Sequence, residues 1–476
     1  MRAAESRWQA VSGDLTEPAP ERRLVANSPR PPRMYSRLAA VFLLLAAGTW
    51  LAATHPALSA LSGAVLATVT LLVSLLAARS ASVALKIYLV YMFVWFYLAP
   101  LLGILLPSVS PNLASSELGM VWLTVSVWLL GWTAGQLLVR QHLHRAPQTS
   151  SRLSARDAGS GLIAVGAVAL LVEIVGAAGG GSAYATQIAG GSNTGVAAII
   201  TSLAVPALVT GFVLLWATAT QRTRCCLVIL VLLQAGVSSL SGFRGPAIEF
   251  LIALGVSYVV VHPTSLRHNM RLVASALLLI VIVGIPLTLF ASVQRHDQAA
   301  SANAGDQQSL SLASLPHTTV QRLDEAPALS AGLGAGGPAV KQTVAMNSQL
   351  ELFIPRFLWP GKPIFNYGEQ LSITVYGLPA SYHTAATITW LGDLYLNGGL
   401  ILVLLSGLVL AVIAQGAFER VAKGRTLSIL IAVLVLQVIF SAESTLIFSL
   451  VGAFRSFLLL GATCYASGPI RRVIRS

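Results

Sequence analysis

The sequence predicts an all-α polytopic membrane bundle of about twelve transmembrane helices with one large loop. Three observations predict it. Of the 476 residues, 55% are hydrophobic and 10% are charged, whereas a soluble domain carries about 25% charged residues. The mean hydropathy is +0.76. The apolar residues also gather in runs of about 20, the length a helix needs to cross a hydrocarbon core while satisfying its own backbone. The net charge of +13 would suggest nucleic acid in a soluble chain, but in a bundle its distribution matters more than its sum. Cys225, Cys226 and Cys464 have no metal-ligand spacing, so neither a disulfide framework nor a zinc site organises the fold.

Residues 1–36 are rich in Pro, Arg and Glu and read as a disordered cytoplasmic tail. Residues 37–293 carry nine spans, at 37–54, 57–78, 83–106, 118–139, 160–178, 195–219, 225–241, 246–262 and 272–293. The polar stretch before the first run is too long for a signal-peptide n-region, so that run is a retained span. Residues 294–387 form the large outer loop. Its first half is Ala-, Ser-, Gly- and Gln-rich and reads as mobile, with one helical turn around Val320–Leu329. Its second half is dense in aromatics, prolines and glycines and is expected to lie at the membrane face or pack over a cavity. Residues 388–466 hold three more spans, at 388–415, 426–441 and 445–466, and 467–476 read as a basic cytoplasmic tail. No internal repeat of the transporter kind is present.

Positive charge tests this division independently. With the amino terminus inside, most Lys and Arg fall on inner segments. The outer segments keep Arg244, Arg295, Arg322, Lys341, Arg356 and Lys362, and Arg455 lies inside the last span. Both termini are then cytoplasmic.

Ionisable residues inside spans are costly and face a partner or a wet cavity. They are Lys86, Glu173, Glu249, Asp393, Glu443 and Arg455. Lys86 lies near an inner end and can snorkel. Glu173 suits a structural hydrogen bond to a neighbouring helix as well as a functional role. Arg244 sits between two spans, framed by Gly242 and Gly245, where positive charge is disfavoured. Glu443 and Arg455 are too far apart on one helix to pair, so each needs a partner elsewhere. Asp393 is the candidate for Arg455, in a pair that is structural or catalytic. Arg356 and Lys362 lie among Pro355, Pro360 and Pro363 beside Trp359. Rigidly presented cations at a bilayer surface suit a lipid phosphate or pyrophosphate. His383 is the outer histidine closest to these groups.

Three pieces in order resemble the Wzy-type O-antigen and exopolysaccharide repeat-unit polymerases, a family related to the O-antigen ligases. They are Ser241-Gly242-Phe243-Arg244-Gly245 between two spans, residues 354–363 late in the outer loop, and residues 387–399 opening the next span. The resemblance implies a GT-C-like glycosyltransferase of the bacterial inner membrane with its site facing the periplasm. Its donor and acceptor would be undecaprenyl-pyrophosphate-linked glycans, with membrane lipid and a chain-length regulator as partners and no nucleic acid. It implies Arg244 as a catalytic residue, with His383, Glu369 and Asp393 as the groups available to deprotonate an acceptor hydroxyl. It implies Arg356, Lys362, Arg295, Arg322, Arg455 and Glu443 on the pyrophosphate and glycan. Guanidinium groups can stabilise the leaving charge, so neither metal nor cofactor is expected. A ligase and a lipid-linked glycan flippase are the competing readings.

Overall fold

The computed structural model describes residues 32–54, 58–78, 83–105, 113–139, 155–178, 196–216, 218–240, 250–251, 253–258, 324–335, 340, 351–354, 359, 367–379, 387–421, 426–441 and 444–475. Among them the regular structure is helical throughout. Seven helices are long and apolar enough to cross a membrane, and two shorter apolar ones lie at Ala39–Thr54 and Leu427–Phe440. The chain is thus a multi-helix membrane bundle. The expected span at 272–293 lies outside the described residues, as does most of the one at 246–262.

The first half of the chain forms α1 (Pro32–Thr54), α2 (Ala60–Ala77), α3 (Val83–Phe93), α4 (Ala99–Leu105), α5 (Ser115–Val139) and α6 (Ala155–Ala178). It continues with α7 (Val196–Ser202), α8 (Ala204–Trp216) and α9 (Gln221–Leu240). The second half forms α10 (Ala326–Gly334), α11 (Tyr367–Thr374), α12 (Thr389–Val421), α13 (Thr426–Phe440) and α14 (Leu446–Arg475). The run expected as one span at 195–219 contains the candidate span Ile199–Trp216, with a turn at Leu203 dividing it into two helices. The last helix continues through Arg475, so the basic stretch 467–475 is helical.

The centre of the bundle is α5, which packs most extensively on α12, α2 and α1. It is buried along nearly its whole length. Because it is apolar on every side, its sequence has no amphipathic stripe, as expected for a helix surrounded by others. Gly131 and Gly135 leave no room for a side chain against the Leu404 and Leu408 carbonyls. Small residues allow this close approach, and in lipid the association rests on packing rather than on the hydrophobic effect. By contrast α2 exposes Leu61, Val65, Leu72 and Leu76 on one side, the face a lipid-contacting helix presents.

Two breaks set the geometry of the site. Between α3 and α4, Val94–Leu98 form a π turn. Such a turn holds one residue too many for the α ladder and frees carbonyls for other partners. Here the Phe96 carbonyl accepts the Trp122 indole N–H at 2.9 Å, and the Trp95 carbonyl accepts the Glu325 backbone N–H at 3.3 Å. The second break is inside α12, where Gly398 and Gly399 leave helical geometry and Gly399 takes φ +63°. That left-handed conformation favours glycine.

The expected span at 388–415 is therefore a short arm, Thr389 to Asn397, followed by a long arm from Leu400 to Val421. The short arm folds back. Trp128 meets Trp390 edge-on at 4.3 Å between centroids. A side chain at Gly407 would come within 2.7 Å of the carbonyl of the same Trp128. In an unbroken helix residues 390 and 407 would stand about 25 Å apart.

The loop also differs from expectation. The helical turn expected at Val320–Leu329 is α10, and it is not mobile surface chain. It packs on α12 and α5, with Ala326 and Leu329 fully buried and Gly332 against Gly392.

Candidate functional site

The site is built on an aromatic floor halfway along α5. Tyr88 packs at a tilt against Trp132 at 4.4 Å, Phe440 meets Tyr88 at 6.0 Å and Tyr91 at 5.0 Å, and Trp390 covers Trp128. The Trp128 indole donates to the Tyr88 hydroxyl at 3.2 Å, and the Tyr91 hydroxyl donates to the Phe440 carbonyl at 3.0 Å. Trp128 lies about 20 Å along α5 from Ser115. The short arm of α12 begins at this level, and α13 ends there. Asp393 consequently lies within the body of the bundle. The sequence had placed it in the first outer turns of a span.

Asp393 is 2% exposed. Its Oδ1 accepts from the Tyr367 hydroxyl at 3.0 Å and from the Asn397 amide at 3.3 Å. The Asn397 amide also donates to the Asp393 backbone carbonyl at 2.9 Å. A carboxylate whose Oδ1 accepts from two neutral donors is held in one orientation, as a positioned base or a ligand to a hydroxyl must be. The entry to this arm is strained. Thr389 has φ +60°, a left-handed conformation that a β-branched residue rarely takes. It is held there by its own backbone N–H on Thr387 Oγ1 at 3.1 Å and by its Oγ1 accepting from the Gly392 N–H at 3.3 Å.

Helix α11 brings Tyr367 to Asp393 and stacks it near Phe448 of α14 at 5.7 Å. Beside Phe448, Ser449 Oγ lies 2.7 Å from Ser441 Oγ and 2.5 Å from Ser444 Oγ, forming a hydroxyl cluster at the α13–α14 turn. Glu369 is on the first turn of α11, two residues from Tyr367. Seven residues beyond Phe448, Arg455 donates to the Leu352 carbonyl at 2.6 Å, and Phe353 packs on Phe454 at 5.9 Å. These contacts pin the turn Glu351–Phe353 onto α14. Arg356 follows three residues after Phe353 in the chain. The expected Asp393–Arg455 pair is not among the ion pairs of the described residues: Asp393 is held by Tyr367 and Asn397, and Arg455 by the loop backbone.

Two acids that sequence reasoning passed over also lie here. Asp324 and Glu325 are 8% and 6% exposed at the start of α10. Asp324 Oδ1 accepts the Ala326 N–H at 3.0 Å, capping the helix. Glu325 is tied to the π turn by its backbone, and its carboxylate faces Tyr376. Burial, and then that carboxylate, push the Tyr376 phenol up to about 12. The Tyr376 hydroxyl donates to the Thr387 carbonyl at 2.6 Å, joining α11 to the entry of α12. An acid before Ala-Pro was a legible helix start. Its burial was not legible, since the surrounding composition resembles a surface loop.

Of the catalytic and substrate-binding residues expected from sequence, Asp393, Glu369 and Arg455 are described, and the structure brings Asp393 and the turn carrying Glu369 together. Arg244, His383, Arg356, Lys362, Arg295, Arg322, Glu443 and Glu249 lie outside the described residues. Glu173 stands apart from this site, bonded across the α6–α9 interface to Gln234. Among the described residues no group of three or more His, Cys, Asp and Glu could hold a metal ion. No family model, curated protein or solved structure matches the chain.

Proposed function

We propose that the protein is an inner-membrane glycosyltransferase that polymerises undecaprenyl-pyrophosphate-linked oligosaccharide repeat units into O-antigen or exopolysaccharide. The bundle has twelve spans, both termini in the cytoplasm and a periplasmic site. The observation that carries this reading is the folded-back arm of α12, which holds the oriented carboxylate of Asp393 against Tyr367 of α11, while Arg455 pins another turn of the same loop onto α14. The cationic stretch with Arg356 and Lys362 begins just after that turn.

Arg244, Arg356 and Lys362 neutralise the pyrophosphate as the sugar–phosphate bond breaks, because fixed guanidinium charge stabilises a leaving anion. Asp393 orients or deprotonates the acceptor hydroxyl, with Glu369 and His383 as the other groups available for the proton. The Ser441, Ser444 and Ser449 hydroxyls suit contacts to sugar. A chain-length regulator is the expected protein partner.

The test is a polysaccharide ladder from a deletion strain complemented with variants, with membrane protein level measured in parallel. Loss of one charge-assisted donor from such a site lowers the rate about 10²–10³-fold. Arg244→Lys and Arg244→Ala should therefore accumulate normally but leave single repeat units on the carrier. A full ladder from Arg244→Lys at normal expression overturns the pyrophosphate-clamp role. A deletion strain that makes a full-length polymer but leaves it unattached to its final acceptor favours a ligase.

A further inference from the structure

Away from the aromatic floor, α6 and α9 bring three oxygen-bearing side chains together. Gln234 Nε2 donates to Glu173 Oε2 at 3.1 Å and to Ser238 Oγ at 3.0 Å. Gln234 is 1% exposed, yet its Oε1 has no hydrogen-bond partner. Glu173 is a carboxylate within a candidate membrane-spanning helix, and the amide of Gln234 is its partner among the described residues. An enclosed carbonyl oxygen lacking a donor is a group that a native structure normally satisfies with a bound species.

We propose that Glu173, Gln234 and Ser238 form a site for a monovalent cation, sodium or a proton. The donor set is oxygen only, which suits hard cations and excludes thiophilic metals. It carries one formal negative charge, so a single positive charge neutralises it, whereas a divalent ion would leave an excess charge inside the bilayer. The enclosure of Gln234 leaves no access for a ligand as large as a sugar.

The charged and titratable side chains described on the elements packed against α6 leave the acid uncompensated. On α9, Arg222, Arg224, Cys225 and Cys226 lie at the opposite end of the helix, where Arg224 donates to the Trp216 carbonyl. On α14, Arg455 is engaged with Leu352, and Cys464 and Tyr465 lie more than two turns further on. The segments Val196–Ser202 and Ala204–Trp216 carry no ionisable residue. On α6 itself, Arg156 and Asp157 stand at the far end.

The site is independent of the glycosyltransferase reading, and its test uses stability rather than turnover. The full-length protein in lipid nanodiscs is melted in sodium chloride and in choline chloride at equal ionic strength, each at pH 6 and pH 8. A ligand that binds only the folded state raises the melting temperature. With sodium as occupant, the wild type is stabilised by sodium over choline at pH 8, and Glu173→Gln loses that difference. With a proton as occupant, the wild type in choline is more stable at pH 6 than at pH 8. Glu173→Gln, which mimics the neutral acid, then keeps the higher melting temperature at both pH values. Gln234→Leu, which removes the orphaned oxygen but keeps Glu173, raises the sodium needed for half the shift by about tenfold, or shrinks the pH shift, as expected for loss of one neutral ligand. The proposal is overturned if the wild type responds to neither cation, or if Glu173→Gln responds as the wild type does.

Discussion

The Tyr367 hydroxyl stands 3.0 Å from Asp393 Oδ1 across 26 residues of chain, and the bond ties a helix of the large loop to the folded-back arm of α12. Replacing one partner leaves a buried carboxylate short of a donor, at about 1.5–3 kcal/mol. Tyr367→Phe should therefore lower the stability of the protein in nanodiscs by that amount. Asp393→Asn, which keeps an acceptor oxygen for Tyr367, should lose less stability but abolish polymer formation in the complementation assay. A full ladder from Asp393→Asn would remove the carboxylate from the chemistry.

The fold-back depends on Gly399. A side chain there meets open space, so only its φ of +63° resists substitution. With ψ at −162°, this is a region essentially confined to glycine, and any other residue there costs roughly 1–3 kcal/mol. Thermal denaturation should rank the wild type above both Gly399→Asn and Gly399→Ala, with asparagine giving no relief. Wild-type stability of either variant would argue against the kink.

Packing between α5 and α12 is set by backbone proximity at Gly131. A β-branched side chain there must push α12 away, and overpacking a tight core costs about 1–3 kcal/mol. Gly131→Val should melt earlier than Gly236→Val, where a side chain meets nothing within 4 Å.

Arg455 is expected to hold the loop turn rather than to float in lipid. Arg455→Met keeps the length and apolar stem but removes the donor to the Leu352 carbonyl. Hydrogen exchange at residues 351–354 should then rise by about tenfold or more, since one charge-assisted bond is lost. Exchange in α2, distant from the turn, should not change. Unaltered exchange at 351–354 would show that Phe353 and Phe454 suffice to anchor the turn.

The Tyr376 phenol, pushed from an ordinary 10.0 up to about 12, gives a signed pH dependence. Between these values the unfolded chain releases the proton while the folded chain retains it, so unfolding becomes easier as pH rises. The contribution is fully present below pH 10 and is lost towards pH 12. Tyr376→Phe should show a shallower loss of stability across that window than the wild type. An identical slope would mean that neither burial nor Glu325 raises this phenol.

Sequence alone determined that this chain is a helical membrane bundle, because apolar run length and low charge follow directly from the cost of placing backbone and charge in hydrocarbon. It also located most of the described helix boundaries closely, since a helix that must bury its backbone in lipid is written in consecutive residues. Asp393 was legible as an out-of-place acid for the same reason. Its surroundings were not. The Asn397-Gly398-Gly399 sequence was a turn signal inside an apolar run, but only the packing of Trp390 and Gly407 on one tryptophan reveals that the chain doubles back. The π turn has no composition signature, and its freed carbonyls acquire meaning only through Glu325 and Trp122, which are distant in sequence. The burial of α10 likewise depends on Gly332 meeting Gly392. Hydropathy is a sum over neighbouring residues, and it could place the spans. The partners of Asp393, Arg455 and Gln234 come from 4 to 103 residues away, and only the tertiary structure could decide them.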